Sequence, residues 1–207
     1  CQAIEGFFDE REARRKLSVY RNSGPNDTTR MLVEAVKQKG VEGNSLLDVG
    51  GGIGAIQHEL FKAGIARADT VEASTAYIDA NKEEAERQGH ADRITYHHGD
   101  FVDIAPNLER ADIVTLERVI CCYPDVESLV ELSSRLADRV YGLVYPRTNL
   151  LSKTVAILFN LTRRLKRSPF RVFIHSDSVI DWVARSNGLR PSSGRKTLLW
   201  QIVVYER

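Results

Sequence analysis

Leu46-Leu47-Asp48-Val49-Gly50-Gly51-Gly52-Ile53-Gly54 runs from an apolar strand through spaced glycines into a helical pattern. Glycine lets the backbone turn tightly and lets a ligand approach it closely. The helix start that follows offers unpaired N–H groups to an anionic group. Glu72 closes the next strand, 18 residues after Gly54. A carboxylate at that place can accept two hydrogen bonds from ribose hydroxyls.

On either side of this loop, apolar runs of strand length alternate with helical patterns. The spacing predicts strands at 45–49, 69–72, 93–97, 111–116 and 140–145, and helices at 53–63, 75–88 and 125–138. Strands separated by helices of about 10–15 residues imply βαβ units and a parallel sheet covered on both faces. Upstream, 3–20 reads as an amphipathic helix and 22–27 as a turn cluster. Asp27 then caps a helix ending near Lys39, before Gly40. Downstream, 176–187 is predicted helical with Ser176 or Asp177 as cap and Gly188 as stop, 194–196 is a turn and 198–205 a strand. Two late strands joined by a turn place one strand antiparallel to the rest. Residues 147–171 are too long for a simple connection, and Leu151, Val155, Leu158 and Leu165 are spaced as on a helix. The expected fold is a three-layer, doubly wound α/β domain spanning 1–207. Segments 1–24 and 147–171 cap the carboxyl ends of the strands, where such sheets bind ligands.

Composition narrows the function. Lys and Arg number 29 against 28 Asp and Glu, a net charge of +1. That leaves no global field to hold a polyanion, so nucleic acid is not an expected partner. Three cysteines, Cys1, Cys121 and Cys122, are too few for a disulfide scaffold, which fits a reducing, cytoplasmic setting. A chain opening on Cys1 rather than Met reads as trimmed. His97 and His98 are adjacent in a strand and face opposite ways, so a shared metal ion is not expected. Nor do Cys121 and Cys122 have a metal partner at suitable spacing.

Gly50, Gly52 and Ala55 also satisfy the dinucleotide fingerprint, so glycine alone does not choose the ligand. Three features favour another one. Asp48 stands two residues before Gly50, where dinucleotide sites carry an apolar residue. Gly50, Gly52 and Gly54 alternate. His98-Gly99-Asp100-Phe101 sets a carboxylate beside an aromatic after the third strand, suited to an adenine amino group and its flat face.

On these motifs the stretch 45–207 resembles the class I S-adenosylmethionine-dependent methyltransferases. The resemblance implies a Rossmann-like, seven-stranded, mostly parallel sheet with its last strand antiparallel. It implies S-adenosyl-L-methionine as cofactor and S-adenosyl-L-homocysteine as product. Gly50, Gly51, Gly52 and Gly54 would pack on the methionine part, Glu72 and Ala73 would hold the ribose, and Asp100 and Phe101 the adenine. Asp48 would orient the loop or the amino group, and Glu117, ending the fourth strand, would complete the cofactor contacts.

Glu117-Arg118-Val119-Ile120-Cys121-Cys122-Tyr123-Pro124 would face the methyl group. It lacks the Asn/Asp-Pro-Pro-Tyr signature of amino methyltransferases. Within the superfamily it is similar to the magnesium-protoporphyrin O-methyltransferase group, which has Ile-His-Tyr-Pro here and Pro-Lys-Thr after the fifth strand. This chain has Cys121-Cys122-Tyr123-Pro124 and Pro146-Arg147-Thr148, with Cys122 where that group has a His. A small-molecule acceptor carrying a carboxylate or hydroxyl is expected, with Tyr123, Tyr20 and His175 as catalytic candidates. The cationic run 163–171 fits a solvated helix end, a grip on an acidic substrate, or, behind the apolar face of 150–161, peripheral contact with an anionic membrane. Two rival functions are weighed. A nicotinamide-dependent oxidoreductase rests on the glycine fingerprint alone, without a Tyr-x-x-x-Lys pair. A non-catalytic cofactor-binding partner subunit rests on Cys122. The pattern does not fix an oligomeric state.

Overall fold

The computed structural model describes residues 7–207. Cys1 and the first residues of the expected helix 3–20 and cap 1–24 lie outside them. The elements follow in the order α1 (Glu10–Ser23), α2 (Asp27–Lys37), β1 (Ser45–Val49), α3 (Ala55–Phe61), β2 (Arg67–Glu72), α4 (Thr75–Gln88) and β3 (Ile94–His98). After the short turn α5 (Phe101–Ile104) come β4 (Ala111–Glu117), α6 (Val126–Arg135), β5 (Ala137–Pro146), α7 (Leu150–Leu165), α8 (Asp177–Ser186), β6 (Arg190–Lys196) and β7 (Trp200–Glu206).

The seven strands lie in the order β3-β2-β1-β4-β5-β7-β6. β3, β2, β1, β4 and β5 pair in parallel, and β7 runs antiparallel to both β5 and β6. The order reverses between β1 and β4, the crevice where open α/β sheets take their ligands.

Successive strand residues point to opposite faces, which produces two cores. On one face Leu47, Val114, Tyr141 and Leu143 pack with Leu129 and Val130 of α6 and Ile180 and Val183 of α8. On the other, Leu46, Ile113, Val140 and Val204 pack with Leu32 and Val36 of α2 and Ile56 and Leu60 of α3. The result is the expected three layers.

Four local expectations are corrected. Asn26, not Asp27, caps α2; its side chain accepts from the N–H groups of Thr28 and Thr29. α3 begins at Ala55 because Gly54 is still left-handed, at φ 78°. β5 is longer at both ends than 140–145. Residues 194–196 are not a turn: they end strand β6, and the chain turns at 197–199. Six of the seven β6 residues are polar or glycine and the seventh is Pro191, so the strand has no apolar alternation to read. Such polar, proline-bearing strands belong at sheet edges.

Candidate functional site

The loop after β1 is fastened by its own backbone. Gly50 N–H donates to Val71 O at 2.7 Å, and Gly54 N–H to Gly51 O at 2.9 Å. Gly52 N–H donates to Glu72 Oε2 at 2.9 Å, while the other oxygen accepts from Ser74 N–H at 2.9 Å. Glu72 therefore clamps the glycine loop to the end of β2. Burial pushes its carboxyl up, and the N–H donors pull it back. Gly54 cannot be another residue without rearrangement, because a Cβ there would stand 2.5 Å from Asn81 Oδ1.

Asp48 sits beneath the loop. Its Oδ1 accepts from Thr115 Oγ1 at 2.7 Å across the β1–β4 pairing, while its Oδ2 is buried with no hydrogen-bond partner. Burial lifts its pKa to about 7. On the other side of the sheet order, His98 Nε2 donates to Ala73 O at 3.2 Å, which engages that carbonyl. Asp100 caps α5, accepting from Val102 N–H at 3.1 Å. Phe101, expected as an adenine platform, is only 3% exposed and packs in the core with Val49 and Val71. The first residue of a helical turn on the sheet points inward, so its ring offers no open face.

The N-terminal segment covers this loop. Ala13, Leu17 and Tyr20 of α1 pack on Ile53 of the loop and on Tyr77 and Ala80 of α4. Ser74 Oγ donates to Phe8 O at 2.6 Å. Tyr20 is not brought to the other catalytic candidates. Its hydroxyl donates to Glu59 Oε1 on α3 at 2.8 Å, and burial raises its pKa. That placement follows from the packing of α1 across α3 and α4. Lys16, one turn before Tyr20, went unnoticed in the sequence. Its ammonium lies 5.4 Å from the Tyr77 ring centre and 5.5 Å from that of Phe8. Burial lowers its pKa. Its place between the buried Ala13 and Tyr20 is the signal that marks it. The two cap segments also meet. Phe7 stacks on Phe170 at 4.3 Å, and the Arg163 guanidinium sits 4.6 Å from the Phe7 ring and 5.0 Å from Phe159.

His58 was also missed. It is fully buried on α3, and its Nε2 lies 3.1 Å from Ile53 O. A carbonyl only accepts, so Nε2 carries the proton and Nδ1 accepts from His90 Nε2 at 2.8 Å. Burial, and then the neighbouring His90, hold its pKa down to about 4. The pair ties the glycine loop to the end of α4.

Across the crevice, the end of β4 meets α2. Glu117 accepts from Thr28 Oγ1 at 2.8 Å and from Thr29 Oγ1 at 2.6 Å. Arg118 takes a left-handed backbone at φ 60°. Its Nη2 donates to Thr28 Oγ1 at 2.8 Å, its guanidinium lies 4.7 Å from the Trp200 ring, and its Nε is buried without a partner. The chain after α7 closes on the same loop. Phe173 N–H donates to Cys121 O, and His175 Nε2 donates to Tyr123 O, both at 2.8 Å. His175 thus stands beside Tyr123 through the backbone, with its lone pair on Nδ1. Burial lowers its pKa, so it is neutral near pH 7. The Tyr123 hydroxyl is buried with no hydrogen-bond partner. Cys121 is buried and Cys122 partly so, their sulfurs 3.9 Å apart. Among the described residues no cluster of three or more His, Cys, Asp or Glu side chains is placed to hold a metal.

Comparison with known proteins supplies the wider setting. Residues 47–139 match the family model of a methyltransferase domain. No curated protein matches the chain. Among solved structures, magnesium protoporphyrin IX methyltransferase from Synechocystis, with bound S-adenosylhomocysteine, is similar at TM-score 0.75 and 17% identity, over 99% of this chain and 97% of that one. The methyltransferase in complex with the Trm112 activator of Haloferax volcanii is similar at TM-score 0.71 and 14% identity, over 98% and 96%. An O-methyltransferase family 2 protein from Planctomyces limnophilus, in complex with apigenin, is similar at TM-score 0.71 and 17% identity, over 94% of this chain and 61% of that one. At these identities the likeness to the solved structures is one of fold, and the family model covers residues 47–139, less than half of the chain.

Proposed function

We propose that this chain is a class I S-adenosylmethionine-dependent methyltransferase that methylates an oxygen of a small molecule, a carboxylate or a hydroxyl. The observation that carries the cofactor side is the Glu72 clamp on the glycine loop. Gly50, Gly51 and Gly54 let the loop pack directly on Val119, Thr70 and Asn81, and the Glu72 carboxylate borders its backbone. Asp48 Oδ2 adds a buried acceptor below it. These residues fit a ligand with a cationic amino-acid end and a ribose.

When bound, the cofactor supplies an electrophilic methyl group on a sulfonium. The chain's own work is alignment and exclusion of water. Gly50 to Gly54 and Asp48 orient one end, Glu72 the ribose, and Asp100 borders the adenine. α1 covers the loop through Leu17 and Tyr20. On the acceptor side, a carboxylate arrives ionised and needs no base. A hydroxyl does need one, and His175 is neutral with its Nδ1 lone pair available. The Tyr123 hydroxyl is the donor best placed by its position after β4 to bind the acceptor oxygen.

The test is calorimetric titration with S-adenosylhomocysteine, with NADH as control. The wild-type protein should bind the first and not the second. Glu72→Ala should weaken that binding about 10- to 100-fold, as loss of charge-assisted hydrogen bonds implies. Unchanged affinity in Glu72→Ala removes the ribose assignment. Binding of NADH alone returns the oxidoreductase reading.

A further inference from the structure

α7 is held by a narrow stripe. Ser152 and Ala156 are buried against the body, and Asn160 pairs with the backbone of Val172 through both its amide and its carbonyl. The opposite side is apolar and open. Leu151, Val155, Ile157, Leu158, Leu161 and Leu165 are 43–77% exposed. At about 100° per residue, Leu151, Leu158 and Leu165 fall almost opposite Ala156, and Lys153 and Arg164 lie together on one side, between the buried stripe and the apolar face. Exposed large apolar side chains elsewhere are scattered: Val19, Trp182 and Leu198.

The charge around this face is one-sided. From Leu150 to His175 the chain has Lys153, Arg163, Arg164, Lys166, Arg167 and Arg171 and no Asp or Glu, within a protein of net charge +1. Arg163 is taken up by Phe7 and Phe159, and Arg171 by the carbonyls of Ser168 and Phe170. Lys153, Arg164, Lys166 and Arg167 are exposed.

We infer that α7 docks this protein on an anionic lipid surface. The helix lies in the interface with its leucines among the acyl chains and its cations at the headgroups. It does not cross: it has 16 residues, fewer than the roughly 20 a span needs, and no helix among the described residues is long and apolar enough. Charge argues for lipid over a second copy. Two such faces would bring cations together with no carboxylate between them. The inference is independent of the methyl-transfer reading, since its readout is partition.

The experiment is co-sedimentation of the full chain with phosphatidylcholine vesicles and with vesicles of equal parts phosphatidylcholine and phosphatidylglycerol. Binding is expected on the anionic vesicles alone and should weaken as salt rises. Leu158→Glu with Leu165→Glu should cut partition about tenfold or more, and so should replacing Lys153, Arg164, Lys166 and Arg167 by Gln. Both variants should keep the wild-type circular-dichroism spectrum and thermal midpoint, which shows that they are folded. Equal binding to both vesicle types, or to neither, overturns the inference. So does a dimer in light scattering that Leu158→Glu dissolves, because the face would then be covered by a second copy.

Discussion

Around the glycine loop Glu72 takes two N–H donors, Thr115 donates to Asp48 Oδ1, and His58 and His90 satisfy each other and Ile53, while Asp48 Oδ2, Gln57 Oε1 and Tyr77 Oη are buried without a hydrogen-bond partner. In the loop after β4, Tyr123 Oη and Arg118 Nε are buried and unanswered, and Arg118 holds a strained left-handed backbone. Beneath the loop the unpartnered atoms are chiefly acceptors, Asp48 Oδ2 and Gln57 Oε1. After β4 they are donors without a hydrogen-bond acceptor, Arg118 Nε standing 3.8 Å from Glu117 Oε1. An unpaired buried polar group costs about 1–3 kcal/mol, so a ligand that supplies the partner recovers that cost. The difference teaches that the two sides of the crevice offer a ligand opposite hydrogen-bonding character.

The hardest blow to the glycine-loop region is Gly54→Val. A β-branched residue at φ 78° with its Cβ 2.5 Å from Asn81 Oδ1 should destabilise the protein by about 3–4 kcal/mol. Cofactor affinity should fall at least ~100-fold. Denaturant melts and titration with S-adenosylhomocysteine check this, and unchanged binding would show that the loop does not hold the ligand.

Protonation sharpens the contrast next. His58 is depressed from 6.5 to about 4, so its contribution, roughly 3 kcal/mol, is present above pH 6.5 and is lost as pH falls through 4. Asp48 is raised from 3.8 to about 7, so its contribution is present below pH 3.8 and is lost as pH rises through 7. The two slopes oppose each other across one window and flatten the wild-type profile. Asp48→Asn removes the second, so urea midpoints of that variant should climb with pH between 4 and 6.5 and stay high at 8. Parallel profiles for the two proteins would sink the assignment.

The smallest effect bears most directly on the comparison. Thr115→Val deletes a hydrogen bond that is made and should cost about 2 kcal/mol. Tyr123→Phe deletes one that is not made and should stabilise the ligand-free protein by roughly 1 kcal/mol. Thermal melts of both variants decide it, and a destabilised Tyr123→Phe would mean that the hydroxyl already has a partner.

The same division governs what the sequence disclosed. β1 at 45–49 and α4 at 75–88 were readable to the residue, because apolar runs and glycine stops coincide with the ends of the backbone ladders. The glycine turn was readable because the left-handed backbone of Gly50, Gly52 and Gly54 is a local feature, whereas the clamp of Glu72 on Gly52 spans 20 residues and was not read. Tyr20 was grouped with Tyr123 and His175 by analogy of position. Its true partner, Glu59, is 39 residues away, a pairing that only the packing of α1 across α3 creates. Lys16 and His58 escaped for the same reason: each depends on burial between helices that are not neighbours in the chain. β6 escaped because an edge strand hides its polarity from any reading of apolar period.

The stacking of Phe7 on Phe170 joins the segment that covers the glycine loop to the one that carries α7 and leads to His175. The two covers are thereby geared to each other. A substitution at either ring therefore reaches both segments at once. Four phenylalanines, Phe7, Phe8, Phe159 and Phe170, thus form one aromatic seam between the two segments.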